Sequence, residues 1–256
     1  MLKRTIAVFG AGGVGGYFGA VLARAGYLVV FIARGAHLEA IRKDGLHIRS
    51  LKGDFSITPA QVTDNPADVE PVDAVILGVK AWQVPEAARA MHPLLTTATK
   101  VLPLQNGVEA PDQLQQVLGR ENTLLGLCRI ISSVTSSGHI NHTGIEPAIF
   151  LGEPDGSVLS PNGQALATAV RVAGVVVEAP ADIQAALWAK LVFIAAVSGV
   201  GAVARATIGE VRACPQARQL LPELMEGNSY DQQISLDRQR GPLDGFQARC
   251  FRLALR

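Results

Sequence analysis

Gly10, Gly12 and Gly15 stand in G-x-G-x-x-G spacing within Gly10-Ala11-Gly12-Gly13-Val14-Gly15. The apolar run Thr5 to Phe9 precedes them, and Tyr17 to Arg24 follows with helical character. Strand, tight turn and helix in that order is what a dinucleotide site requires. The first glycine permits the turn, the second lets the main chain approach a pyrophosphate, and the third lets helix and strand pack closely. The helix start adds unpaired N–H groups and a positive dipole end. The spacing means little alone and much in this context. The competing reading is a secretory or membrane segment, because Lys3 and Arg4 precede 19 uncharged residues, Thr5 to Ala23. Six of those are glycine, each costing about 1 kcal/mol against alanine in a helix interior, and a leader has no use for the spacing.

Four further side chains could carry chemistry. Arg34 follows the second strand, Tyr27 to Ala33, where NAD-selective sites place an acid for the ribose 2′-hydroxyl. A guanidinium there favours NADP, since its planar donors and fixed charge suit a 2′-phosphate, with His37 as a weaker contact. The alternative is a solvated arginine at a strand end. Lys80 and Asn106 each follow a predicted strand, Val72 to Val79 and Lys100 to Leu104, at the edge where open α/β sheets hold ligands. Asn106-Gly107 also reads as a plain turn. Lys190 falls on one helical stripe with Ile183, Leu187, Leu191 and Ile194. An ammonium on an apolar stripe either snorkels outward or serves as a proton donor, since partial burial lowers a lysine's pKa.

The elements that must position these groups alternate as an α/β fold does. Val72 to Val79 is nearly continuously apolar, as a central parallel strand buried on both faces is. Gly45 to Ile57 suits a hairpin around Lys52-Gly53-Asp54, and Val84 to Leu95 and Pro111 to Leu118 suit helices. Asn122 to Val134 reads as a strand, and His139 to Gly152 as short strands broken by Gly144 and Pro147. A loop over Pro154 to Gly163, a helix over Gln164 to Val172 and a strand over Val175 to Glu178 follow. Beyond a boundary near Pro180 helix replaces strand: Asp182 can cap a helix running to Ala204, with Gly199 and Gly201 suggesting a break, and Pro222 a kink or end in a helix over Pro215 to Met225. The uncharged run Leu191 to Ala204 is short for a membrane span.

With 256 residues and 23 Lys plus Arg against 22 Asp plus Glu, the chain can bury a large core and has no bulk charge to attract nucleic acid or an acidic membrane. Cys128, Cys214 and Cys250 are far apart and lack a C-x-x-C, so neither disulfides nor zinc is indicated and a reduced cytoplasm fits. His139 and His142 read as a solvent-side pair, with no third metal ligand. The expected partner is a small molecule, with neither membrane nor nucleic acid, and a homodimer is the candidate assembly.

Four separated motifs, Gly10 to Gly15, Val79-Lys80-Ala81-Trp82-Gln83-Val84, Gln105-Asn106-Gly107 and Leu187-Trp188-Ala189-Lys190-Leu191, together resemble the ketopantoate reductase (2-dehydropantoate 2-reductase) family over roughly Met1 to Glu226. The resemblance implies an N-terminal NADP-binding Rossmann-type parallel sheet domain, residues 1–180, and a smaller, mostly helical domain, residues 181–256. The implied reaction is NADPH-dependent reduction of 2-dehydropantoate, or a related 2-keto acid, to the 2-hydroxy acid of pantothenate biosynthesis. It implies Lys190 as proton donor, Asn106 as a contact to both nicotinamide and substrate, and Gly10, Ala11, Gly12, Gly13, Val14, Gly15, Arg34 and Lys80 as cofactor contacts. Four and eight residues after the lysine, family members carry substrate-binding asparagines where this chain has Ile194 and Ser198. Ser198 is therefore the candidate substrate contact, and a different 2-keto acid is plausible. No metal is implied. From Gly227 the sequence departs from the family and lacks clear helical periodicity, so a shortened helical domain with an atypical tail, 227–256, is expected. The alternative function is a catalytically impaired NADP-binding protein.

Overall fold

The computed structural model describes residues 4–237, with side chains through Glu226. The chain begins with β1 (Thr5–Phe9), α1 (Gly13–Arg24), β2 (Leu28–Ile32) and α2 (Gly35–Asp44). The strands β3 (Leu46–Ser50), β4 (Phe55–Ile57) and β5 (Gln61–Thr63) follow, then β6 (Ala74–Leu77), α3 (Val84–Ala90), β7 (Lys100–Pro103) and α4 (Ala110–Leu118). Five strands form one parallel sheet in the order β5-β2-β1-β6-β7. The order runs outward from β1 in both directions, so the topological switch point lies between β1 and β6, directly beneath the glycine turn.

Alternation along β1 explains the layers. Ile6 and Val8 join Phe31, Ile76 and Leu102 in a core with Phe18 and Leu22 of α1, whereas Ala7 and Phe9 join Val75, Leu77 and Val101 in a core with Val84, Met91 and Leu114 of the α3–α4 side. Both faces are covered, which is why the central strands are apolar throughout. Each large aliphatic side chain fully buried here contributes about 1.5–3 kcal/mol.

A second sheet lies on the α1 side. It holds β8 (Leu125–Ser136) and β9 (His139–Gly152), followed by α5 (Pro161–Val172) and β10 (Val176–Glu178). β9 pairs antiparallel with β8, and in parallel with β3 through His139 to His142 and with β10 through Ala148 to Phe150. The expected breaks in β9 appear as an irregularity inside one strand: pairing with β8 passes from Thr143 opposite Ile131 to Ala148 opposite Arg129, and Gly144 and Pro147 lie in the stretch between. Nor is His142 a solvent-side residue. It is 2% exposed, its ring 4.7 Å from that of Tyr17 and its Nδ1 2.8 Å from Ser50 Oγ. At the base of this region Lys100 Nζ donates to Glu153 Oε2 (3.1 Å) and to the Glu121 carbonyl (2.7 Å), while Glu153 Oε1 accepts from the Ser160 N–H.

Three helices complete the described chain: α6 (Ile183–Ala204), α7 (Ile208–Ala213) and α8 (Pro215–Asp237). α6 runs through Gly199 and Gly201 without the expected break, and α8 through Pro222 and on past Glu226. The part of the tail reading that concerns residues 238–256 lies outside the described residues. α6 is long and apolar enough by length and composition to cross a membrane, although a core helix passes the same test. Val192, Ala196 and Val200 of α6 pack with Val211 of α7 and Leu221 and Met225 of α8. Thr207 caps α7 in a reciprocal box with Glu210, whose carboxyl these hydrogen bonds hold below its usual range. Among the described residues Cys128 and Cys214 form no disulfide and no cluster of three metal-ligating side chains occurs; Cys250 lies outside them.

Candidate active site

The turn after β1 is shaped by glycine at two positions in particular. Gly10 has φ +98°, and a Cβ there would lie 2.8 Å from the Val79 nitrogen. A Cβ on Gly15 would overlap the Gly10 carbonyl oxygen. β1, the turn and β6 can approach only because both side chains are absent. Gly12 differs: a Cβ there would meet nothing within 4 Å. Gly12 is also the N-cap of α1, no side chain caps the helix, and no acid sits in its first turn. The first N–H groups of α1 therefore retain their positive end without a competing carboxylate, beside open space. That combination fits a diphosphate. Ala11 is buried and Gly13 and Val14 are half-buried. Behind the turn, burial pushes the Tyr17 phenol up, partly offset by Ser50 and Lys52.

Arg34 lies one residue beyond Ala33, past the end of β2, and is the N-cap of α2. Its guanidinium donates from both terminal nitrogens to Glu86 Oε1 at 3.3 Å, in an ion pair exposed on both sides. Such a pair is worth at most about 1 kcal/mol, so the guanidinium can be redirected to an anion. His37 cannot serve as the second phosphate contact the sequence suggests. Its Nε2 is 2.8 Å from the Ala11 carbonyl, and its Nδ1 accepts from the Gly138 N–H at 3.1 Å.

Lys80 is exposed beyond the carboxyl end of β6, its N–H donating to Gln83 Oε1. Sequence reasoning overlooked what holds that segment: Gln105, 8% exposed, donates from Nε2 to the carbonyls of Leu77 and Val79, both at 2.9 Å. Its position beside Asn106 in the Gln-Asn-Gly motif was the available signal.

The chain divides into two compact units. Residues 1–105 with 109–183 form one, and Asn106–Val108 with the stretch from Gln184 form the other. The first brings together the glycine turn, Arg34 and Lys80 at the carboxyl edge of the parallel sheet. The second holds Asn106, Lys190 and Ser198. Asn106 is exposed and Gly107 takes φ +103°, as a tight turn there demands. Lys190, Ile194 and Ser198 follow at four-residue steps on one face of α6, spanning about 12 Å at 1.5 Å per residue. Lys190 and Ile194 are half-buried and Ser198 is exposed.

Similarity to known proteins agrees with this layout. Residues 6–156 match the family described as ketopantoate reductase PanE/ApbA, and residues 182–227 match its C-terminal counterpart. A 2-dehydropantoate 2-reductase of Archaeoglobus fulgidus is 34% identical over 219 residues, 82% of this chain and 68% of that protein. An oxidoreductase of Bacillus subtilis, YkpB, is 30% identical over 85% of this chain and 71% of its own length. Among solved structures, a 2-dehydropantoate 2-reductase from Geobacter metallireducens superimposes with a TM-score of 0.89 at 28% identity, covering 98% of this chain and 82% of that one. A D-mandelate dehydrogenase solved with NADH shares the fold at 20% identity and a TM-score of 0.83, covering 98% of this chain and 79% of that one. A glycine turn at the switch point of a parallel sheet, a lysine-bearing helix after it and these two consecutive matches have one source: the chain belongs to the ketopantoate reductase family of pyridine-nucleotide-dependent oxidoreductases.

Proposed function

We propose that the protein is a cytoplasmic NADPH-dependent reductase of 2-dehydropantoate or a closely related 2-keto acid, with residues 1–180 holding the cofactor and residues 181–256 forming the helical domain. The observation that carries the cofactor assignment is the uncapped α1 terminus beside open space at Gly12, with the guanidinium of Arg34, rather than an acid, following β2. In this reading Gly10, Ala11, Gly12, Gly13, Val14 and Gly15 receive the diphosphate, Arg34 the 2′-phosphate, and Lys80 and Asn106 further parts of the cofactor. NADPH, when bound, supplies the hydride. Lys190 donates the proton that the reduced carbonyl oxygen requires, and Asn106 and Ser198 orient the keto acid by hydrogen bonds.

The test is loss of NADPH absorbance with ketopantoate and a panel of 2-keto acids, repeated with NADH. Lys190→Ala should slow turnover by roughly 10²-fold or more with cofactor binding largely retained. Tight NADPH binding without reduction of any 2-keto acid would instead establish the catalytically impaired alternative.

A further inference from the structure

His37 touches two segments that are remote in sequence. Ala11 is 26 residues away and Gly138 is 101 residues away, in the turn between β8 and β9. The chemistry of the two contacts determines the state of the ring. The Gly138 N–H can only donate, so Nδ1 must present its lone pair. A neutral imidazole then carries its proton on Nε2, where it meets the Ala11 carbonyl, which can only accept. One tautomer satisfies both contacts. A cationic ring would set an Nδ1–H against the Gly138 N–H, donor against donor. The hairpin is seated on the same region at other points. A Cβ on Gly138 would lie 3.2 Å from the Ala40 Cβ, and one on Gly13 would lie 2.7 Å from the Ser132 carbonyl oxygen.

We propose that His37 is a positioning residue for the dinucleotide: as the neutral Nε2–H tautomer it latches the Ala11 carbonyl to the β8–β9 turn and so sets the loop that presents the first N–H groups of α1. The inference rests on the reading of that loop as the diphosphate site. Other charged or titratable groups on the packed elements are Arg34 with its partner Glu86, Glu39 with its partner Arg42, and Lys43 and Asp44 at the end of α2. From the hairpin come His139, stacked on His47 of β3, and, farther along its strands, Arg129, His142 and Glu146. Loop residues Gly10 to Gly12 and strand β5 bring none.

Glutamine separates the latch from simple filling of space, because its amide can donate at one end, accept at the other and never charge. The affinity of NADP⁺ should be measured by calorimetry for the parent, His37→Gln and His37→Leu. His37→Gln should stay near the parent and His37→Leu should bind about tenfold more weakly, the scale of one or two lost hydrogen bonds. Equal affinities for parent and His37→Leu, or a His37→Gln protein that binds as weakly as His37→Leu, would overturn the proposal. Two-bond ¹H–¹⁵N NMR of the cofactor-free protein reads the tautomer independently. A protonated Nδ1 near neutral pH would refute the latch even if NADP⁺ did not bind, whereas failure to bind with the Nε2–H tautomer intact would count against the diphosphate reading alone.

Discussion

Gly12→Ala and Gly15→Ala add the same methyl group three residues apart, and the structure assigns them opposite consequences. At position 15 the new Cβ would overlap the Gly10 carbonyl oxygen and lie 3.1 Å from Val8 Cγ1. The carbonyl belongs to the turn and cannot rotate away, so β1 and α1 must separate. Overpacking of this kind costs about 1–3 kcal/mol, and at roughly 2–4 °C per kcal/mol for a chain of this size the melting temperature should fall by about 2–12 °C. At position 12 the methyl meets no protein atom and the backbone angles, φ −70° and ψ −167°, suit any residue. Loss of a tolerable N-cap and gain from a stiffer unfolded chain are each within about 1 kcal/mol and oppose each other. Stability should therefore change little, while NADP⁺ affinity should drop at least about tenfold, because the methyl stands where a diphosphate must approach. Differential scanning calorimetry and isothermal titration on the two variants test this together. A Gly12→Ala protein that binds as tightly as the parent would refute a diphosphate over this loop, and one as destabilised as Gly15→Ala would refute the open space above it.

Other perturbations follow from the same reasoning. Burial raises the Tyr17 pKa, so the stability it confers is complete below the ordinary phenol value of about 10 and is lost as pH rises through the higher folded value; Tyr17→Phe should flatten that alkaline decline, seen in urea midpoints between about pH 8 and pH 11. Glu86→Gln frees the Arg34 guanidinium and should raise the preference for NADPH over NADH by up to about fivefold, measured as a ratio of dissociation constants. Glu153→Ala strands the Lys100 ammonium in a site where both partners are about nine-tenths buried; it should cost about 3–5 kcal/mol, on the order of 10 °C in melting temperature, and a Lys100→Met, Glu153→Leu double variant should recover much of the loss.

Local pattern made the nucleotide half legible. The apolar run of β1, the glycine spacing and the unbroken hydrophobicity of β6 each carry their meaning within ten residues, and the structure places strands there. Features that depend on distant partners were hidden. Gly144 and Pro147 do interrupt the ladder, whose paired positions stop at Thr143 and resume at Ala148, but pairing with β8 on both sides of the gap keeps β9 one strand. Gly199 and Gly201 cost helix propensity, but α6 makes it up by burying Val192, Ala196 and Val200 against α7 and α8. His37 looked like a free imidazole near a phosphate because its true partner lies 101 residues ahead. Lys100 likewise read only as the start of a strand, its carboxylate being 53 residues away.

Gly78, at the end of β6, faces the glycine turn so closely that a Cβ on it would lie 2.8 Å from the Gly10 oxygen and 2.9 Å from the Gly15 Cα. The seam between the two middle strands is therefore shut by bare main chain, and an incoming molecule can rest on top of it but cannot wedge into it. Amide groups cannot be deleted by changing a codon. Damage at this spot must come from atoms that are added, so harmful replacements there will be the bulkier ones whatever their polarity.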